Sequence, residues 1–221
     1  MEEELKNSVL KTGTSIVGIV CKEGIVLAGD RKVTAGGRII INKNTKKVVQ
    51  INDYLVLAAT GTASDIEMIR KICAAELKIK ELRDKKRPSV KEAANLIAMI
   101  AYRNIRQPSM IPFIAGTLIA GFNEDGTTEL YTIEPAGSAL KVEDYDANFS
   151  SGMPYILGLL ERQYKKNISI EEGVKLAVES IKAASERDTG SGYGVDVFVI
   201  TKNSIKQVSK QKASFEYKEE N

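Results

Sequence analysis

Residues 13–30 constrain the fold more than any other stretch. Two short β-branched runs, 15–21 and 25–28, flank the charged turn Lys22-Glu23-Gly24. That is the pattern of an antiparallel hairpin. Gly13-Thr14 stands where its first strand begins and Asp30 where its second ends, while Lys46-Lys47 opens a later apolar run. A hydroxyl, a carboxylate and a lysine in those places can converge on one end of a sheet. The chain contains no histidine, which removes Ser-His-Asp and Cys-His mechanisms. A hydroxyl nucleophile here needs another base. The one on offer is the α-amine of Thr14 itself, free once residues 1–13 are removed.

Five extended segments, 15–21, 25–28, 39–41, 46–51 and 54–59, with a polar turn at 32–37, are expected to form one antiparallel meander. Ser64-Asp65-Ile66-Glu67, Ser89-Val90-Lys91-Glu92 and Ser169-Ile170-Glu171-Glu172 each carry the capping-box pattern of a helix start. Ile66, Ile69, Cys73 and Leu77 give the first helix an apolar face as far as about Leu82. Ala93, Leu96, Ile97, Ile100 and Ala101 do so for the second, and Val174, Ala177, Val178 and Ile181 for the one ending near Arg187-Asp188. Between them lie strands at 113–122, 128–133 and 139–142 and a helix that Pro154 can start, followed by strands at 195–201 and 205–208.

Strands in two blocks, each with its own helix pair, predict an α+β domain. The expected arrangement is a four-layer α-β-β-α sandwich, two antiparallel sheets face to face with the helix pairs outside. The domain covers 14–208. Residues 1–13 are read as a leader too poor in apolar groups to order itself, and 209–221 as a solvated tail.

Composition narrows the function. With 32 Lys+Arg against 29 Asp+Glu the net charge is only +3, and no basic run with interleaved aromatics is present, so nucleic-acid binding is not supported. No apolar stretch approaches the ~18 residues of a membrane span. The acidic start Met1-Glu2-Glu3-Glu4 is no secretory signal, and a cytoplasmic protein is expected. Cys21 and Cys73 are too few for a disulfide framework or a zinc site and read as buried free thiols. Neither a metal nor a cofactor is expected.

Thr14 to Asp30, Lys47-Val48-Val49-Gln50-Ile51, Ala59-Thr60-Gly61, Ser151-Gly152 and Arg187-Asp188-Thr189-Gly190-Ser191-Gly192 follow one another in the order of a known family. Over residues 13–200 the chain resembles the archaeal-type β-subunit of the proteasome core particle. The resemblance implies the N-terminal nucleophile hydrolase fold and a threonine endopeptidase, made active by self-cleavage between Gly13 and Thr14. Thr14 Oγ would attack the scissile carbonyl, and its own α-amine, with a reference pKa of ~7.7–8.0, would take the proton. Within the uncleaved chain that nitrogen is an amide and cannot act as a base.

By the same resemblance, Lys47 stays an ammonium held by Asp30, and the Gly61 N–H stabilises the oxyanion. Ser151, Asp188 and Ser191 bond the new N-terminus. Val33, Thr45, Val49, Ala59 and Ala63 would line the substrate pocket, with Glu67 at its rim. The implied partners are α-type subunits and other β-type subunits in stacked seven-membered rings, an ATPase activator and unfolded polypeptide substrates.

The chain departs from the family pattern in three places. Lys47 lies seventeen residues after Asp30, one more than usual, which leaves Lys46 as an alternative. Ser15-Ile16 stand where Thr-Thr is common, and Ser150-Ser151-Gly152-Met153 where Gly-Ser-Gly-Ser is typical. Two other readings stand beside the active subunit: an unprocessed structural β-subunit of the same particle, and the bacterial-type ATP-dependent threonine peptidase.

Overall fold

The computed structural model describes residues 13–35 and 37–212. The hairpin forms as the sequence suggests, with β1 (Ile16–Cys21) and β2 (Gly24–Asp30) paired in register Ile16↔Gly29 to Cys21↔Gly24. β3 (Val33–Ala35) and β4 (Ile39–Asn42) follow, then β5 (Val48–Asn52) and β6 (Leu55–Gly61). Helices α1 (Ala63–Asp84) and α2 (Val90–Ile105) lead to β7 (Ala115–Phe122), β8 (Thr128–Ile133), β9 (Ala139–Lys141) and β10 (Tyr145–Asp146). Helices α3 (Met153–Gln163) and α4 (Ile170–Arg187) precede β11 (Gly194–Thr201) and β12 (Ser204–Lys212). The expected order of strands, helix pair, strands, helix pair and strands is present.

The single meander is not. The strands divide into a sheet of order β10-β1-β2-β11-β12, a sheet of order β5-β6-β7-β8-β9, and the separate ribbon β3-β4. β2 is hydrogen-bonded on one edge to β1 and on the other to β11, from Asp30↔Val195 to Gly24↔Thr201. With both edges occupied, β2 cannot pair with the next segment, and β5 begins a new sheet. β3 lies inside the stretch expected to be a polar turn, and β10 was not anticipated; both are very short.

The first sheet is apolar on both faces. Ile16, Ile25, Leu27, Phe198 and Ile200 join one buried cluster with the second sheet and with α1 and α2. Their neighbours Val17, Ile19, Val26, Ala28, Val197 and Val199 point the other way, into a cluster with Ile156 and Leu160 of α3 and Leu176, Ala177 and Ile181 of α4. The two-residue period of a strand sorts these side chains. α1 packs on β5 and β6, and α2 on β7, β8 and β9.

Helix starts follow their caps in two of three cases. Ser89 and Ser169 each accept from the N3 amide while Glu92 and Glu172 reach back, forming both capping boxes. Ser64 does not cap α1. That helix starts behind Thr62, which makes no side-chain cap bond, and Asp65 Oδ2 instead accepts from the Ile114 amide at 3.0 Å. The helix has already begun by Ser64, so its hydroxyl is a first-turn side chain rather than a cap, and the neighbouring carboxylate ties the helix start to the residue before β7. α1 also runs two residues past Leu82, to Asp84, with Lys85 left-handed behind it. β12 extends to Lys212, beyond the end expected at Val208; residues 1–12 and 213–221, which hold most of the leader and of the expected tail, lie outside the described residues. Among the described residues no helix is long and apolar enough to cross a membrane.

Candidate functional site

The site gathers at the end of the first sheet where β1 begins and β2 finishes. Asp30, the last residue of β2, is fully buried and receives four donors. Oδ1 accepts from the Ser15 amide at 2.8 Å and from Lys47 Nζ at 2.7 Å. Oδ2 accepts from the amides of Lys32 at 2.9 Å and Gly192 at 3.0 Å. Lys47 enters from the segment just before β5, and its carbonyl accepts the Ala59 amide of β6 at 3.1 Å. Lys46, one residue earlier, is exposed.

Burial pushes the Asp30 carboxyl above its ordinary range, opposed by the Lys47 charge and by the amides that bond it. Burial pushes the Lys47 ammonium below its own range, opposed chiefly by Asp30. Four N–H donors converge on a group that, ionised, only accepts, so the pair is held as carboxylate and ammonium.

Lys47 Nζ also donates to the Gly13 carbonyl oxygen at 3.0 Å. The Thr14 hydroxyl donates to that same oxygen at 2.7 Å. Thr14 is 4% exposed, so its hydroxyl works in a nearly dry setting. Gly13 is required here by space: a Cβ on it would lie 2.1 Å from the Gly190 Cα. The two glycines let the chain before β1 lie against the loop before β11.

A second arm grips the Thr14 backbone. The Thr14 amide donates to Ser151 Oγ at 3.0 Å, and its carbonyl accepts from the Gly152 amide at 3.2 Å. Ser151 Oγ lies 2.6 Å from Asp188 Oδ2, against 3.1 Å from the Thr14 carbonyl, so its one proton goes to the carboxylate. Ser191 Oγ donates to the same Oδ2 at 2.6 Å, while Oδ1 accepts from the Gly190 amide at 3.1 Å.

Gly13, Thr14, Asp30, Lys47, Ser151, Asp188 and Ser191 are thus brought together. Gly61 is not hydrogen-bonded to this cluster among the described residues; it closes β6 with φ 121°. The five residues expected to line the substrate pocket differ in exposure. Ala59 is buried, Val33, Thr45 and Val49 are half-buried, and Ala63 is exposed at the start of α1. Two surface grooves, of about 490 and 330 Å³, lie elsewhere, between α4 and the β11–β12 hairpin and between α1 and α2.

Sequence reasoning missed four contributors. Ser15 enters the sequence analysis only as a departure from the family's Thr-Thr, the Lys32 and Gly192 amides carry no side-chain signal, and Arg31 lies outside the family motifs. Arg31 is 2% exposed and pairs bidentately with buried Asp196 of β11, one N–O contact being 3.0 Å. Its backbone accepts from the Thr45 amide at 3.1 Å, and its guanidinium reaches Asn44 at 3.3 Å. A charged residue next to a strand-terminal carboxylate could have flagged it.

Comparison with known proteins places this arrangement. The family model described as Proteasome subunit matches residues 10–200. Proteasome subunit beta 1 of Hyperthermus butylicus is 40% identical over 197 residues, covering 88% of this chain and 93% of the relative. The chain belongs to the proteasome β-subunit family. Proteasome subunit beta of Nanoarchaeum equitans, at 35% identity, covers 88% of this chain and 96% of its own length. Proteasome subunit beta 1 of Thermococcus onnurineus is 36% identical over 211 residues, 96% of this chain and 97% of the relative. Proteasome membership thus extends over both sheets and both arms of the site.

Proposed function

We propose that this chain is a catalytic β-type subunit of the proteasome core particle, a threonine endopeptidase activated by cutting its own Gly13–Thr14 bond. The observation that carries the reading is the Gly13 carbonyl oxygen, held at 2.7 Å by the Thr14 hydroxyl and at 3.0 Å by the Lys47 ammonium. The nucleophile sits beside the bond to be cut, and a cation polarises that carbonyl.

In the first step Thr14 Oγ adds to the Gly13 carbonyl carbon while its proton leaves to solvent or a neighbouring base. Collapse expels the Thr14 nitrogen, which takes up a proton, and leaves Gly13 as an ester on Oγ. Water hydrolyses that ester, releasing the leader with a new carboxylate and Thr14 with a free α-amine. The amine then serves as base for substrate peptides, with Ser151, Asp188 and Ser191 orienting it. Lys47, kept cationic by Asp30, favours the neutral amine, and the Gly61 N–H would receive the oxyanion. No cofactor enters these steps.

The domain is read as the stacked α-β-β-α sandwich of this enzyme class, working in seven-membered rings with α-type and other β-type subunits, on unfolded polypeptides delivered by an ATPase activator. The deciding experiment is the intact mass of the chain after assembly with α-type subunits. Loss of residues 1–13 is expected, and Thr14→Ala should retain them. Leader removal at the normal site in Thr14→Ala would sink self-cleavage; an unaltered chain that stays full length would make it a structural subunit.

A further inference from the structure

Ser15 is where the two arms of the site meet. Its amide donates to Asp30 Oδ1, the oxygen that also accepts from Lys47. Its hydroxyl lies 2.6 Å from Ser191 Oγ, which in turn lies 2.6 Å from Asp188 Oδ2. Carboxylates only accept, so Ser191 gives its single proton to Asp188, and the proton shared between the two serines belongs to Ser15. The direction of the chain is then determined: Ser15 to Ser191 to Asp188, with Ser151 donating from the other side and itself receiving the Thr14 nitrogen.

Burial makes this contact exclusive. Ser15 is fully buried and Ser191 is 2% exposed, so water does not compete. Gly152 leaves room for the hydroxyl, since a Cβ there would lie 1.9 Å from Ser15 Oγ. The same glycine amide bonds the Thr14 carbonyl, so the space and the nucleophile's backbone are held by one residue.

We propose that Ser15 is a positioning residue of the hydrolytic site, its hydroxyl fixing Ser191 on Asp188 and so keeping the Ser151 arm in register with the Asp30–Lys47 arm. The inference rests on the reading of Thr14 as nucleophile. Removing the Ser15 proton makes Ser191 a weaker donor to Asp188 and leaves more charge on that carboxylate. The added negative charge near the Thr14 amine raises the amine's pKa.

The test compares Ser15→Ala and Ser15→Thr in the assembled, processed particle. In Ser15→Ala, kcat on a fluorogenic peptide should fall roughly five- to tenfold, the size of one lost hydrogen bond, with KM unchanged. The acid limb of kcat/KM should move to higher pH. Ser15→Thr, which restores a hydroxyl, should recover both. A crystal structure of Ser15→Ala should show Ser191 Oγ turned away from Asp188; should the alanine particle not assemble, Ser15→Gly, which also lacks the hydroxyl, carries the same expectations. Ser191 still on Asp188, or an unmoved pH profile with full kcat, would overturn the proposal. Hydrolysis by the unaltered particle tests the nucleophile reading separately, and the Ser191 orientation decides the role of Ser15 whether or not that particle is active.

Discussion

Lys46 and Lys47 share a chemistry and differ in environment, one exposed and the other 8% exposed against Asp30. Spacing left them as alternatives, and packing separates them. Lys47→Ala should abolish peptide hydrolysis even when the leader is supplied already removed, whereas Lys46→Ala should be mild; swapped outcomes would mean that the buried ion pair is not the working lysine. The pair also has a pH signature. Burial lowers the Lys47 pKa and Asp30 acts to raise it, so the ammonium is lost as pH rises through that depressed value. Asp30→Asn removes the opposing charge and lowers the Lys47 pKa further. The alkaline limb of the pH–rate profile should then move to lower pH, and a limb that stays in place would show that Lys47 does not govern it. Cys21 and Cys73 are both buried free thiols, as read from the sequence, and burial pushes each up to about 12.

At the scale of elements, the three serine-led patterns separate by what else can reach them. The Ser89 and Ser169 boxes close within one turn and need no distant partner. Replacing either serine with alanine should cost about 0.5–2 kcal/mol of stability. Ser64→Ala should change stability by less than about 0.5 kcal/mol, because Ser64 caps nothing. Thermal unfolding of the three variants checks this, and a Ser64→Ala loss equal to the others would return the cap to Ser64. The strands teach a related lesson. Continuous β-branched and apolar runs identified β1, β2, β5, β6, β7, β8 and β11, most of them buried on both faces, but β3 and β10, with three and two residues, are too short to make such a run.

For the whole molecule, the substrate pocket proposed by resemblance draws on several elements at once. Val49 and Ala59 sit on the paired strands β5 and β6, while Val33, Thr45 and Ala63 come from the segments around them. These side chains are small or mid-sized and mostly apolar. An apolar or aromatic residue before the cut could gain roughly 1.5–3 kcal/mol on burial there, whereas an acidic one would lose hydration without a partner. The expected order is Leu, Phe or Tyr first, basic residues second through Glu67, and acidic residues last. Fluorogenic peptides differing only at that position measure it, and fastest turnover after Asp or Glu would refute the pocket. Ala59→Met should slow aromatic substrates more than Ala-ending ones if Ala59 forms the base.

By itself the sequence determined the hairpin, the order of elements, two helix starts and the absence of any histidine base. Each of these rests on residues close in the chain: a period of two or of 3.6, or a hydroxyl three residues from a glutamate. The other residues of the two arms, Ser15 excepted, were named through resemblance to a known family rather than from any local pattern. The tertiary structure decided what local pattern cannot carry. It paired Asp30 with Val195 across the chain, which split the expected meander into two sheets and a ribbon. It buried Lys47 rather than Lys46 against Asp30, brought Gly13 against Gly190, and placed the Ser15 hydroxyl on Ser191. Strand pairing and burial are set by which distant surfaces exclude water together, and that depends on the whole chain at once.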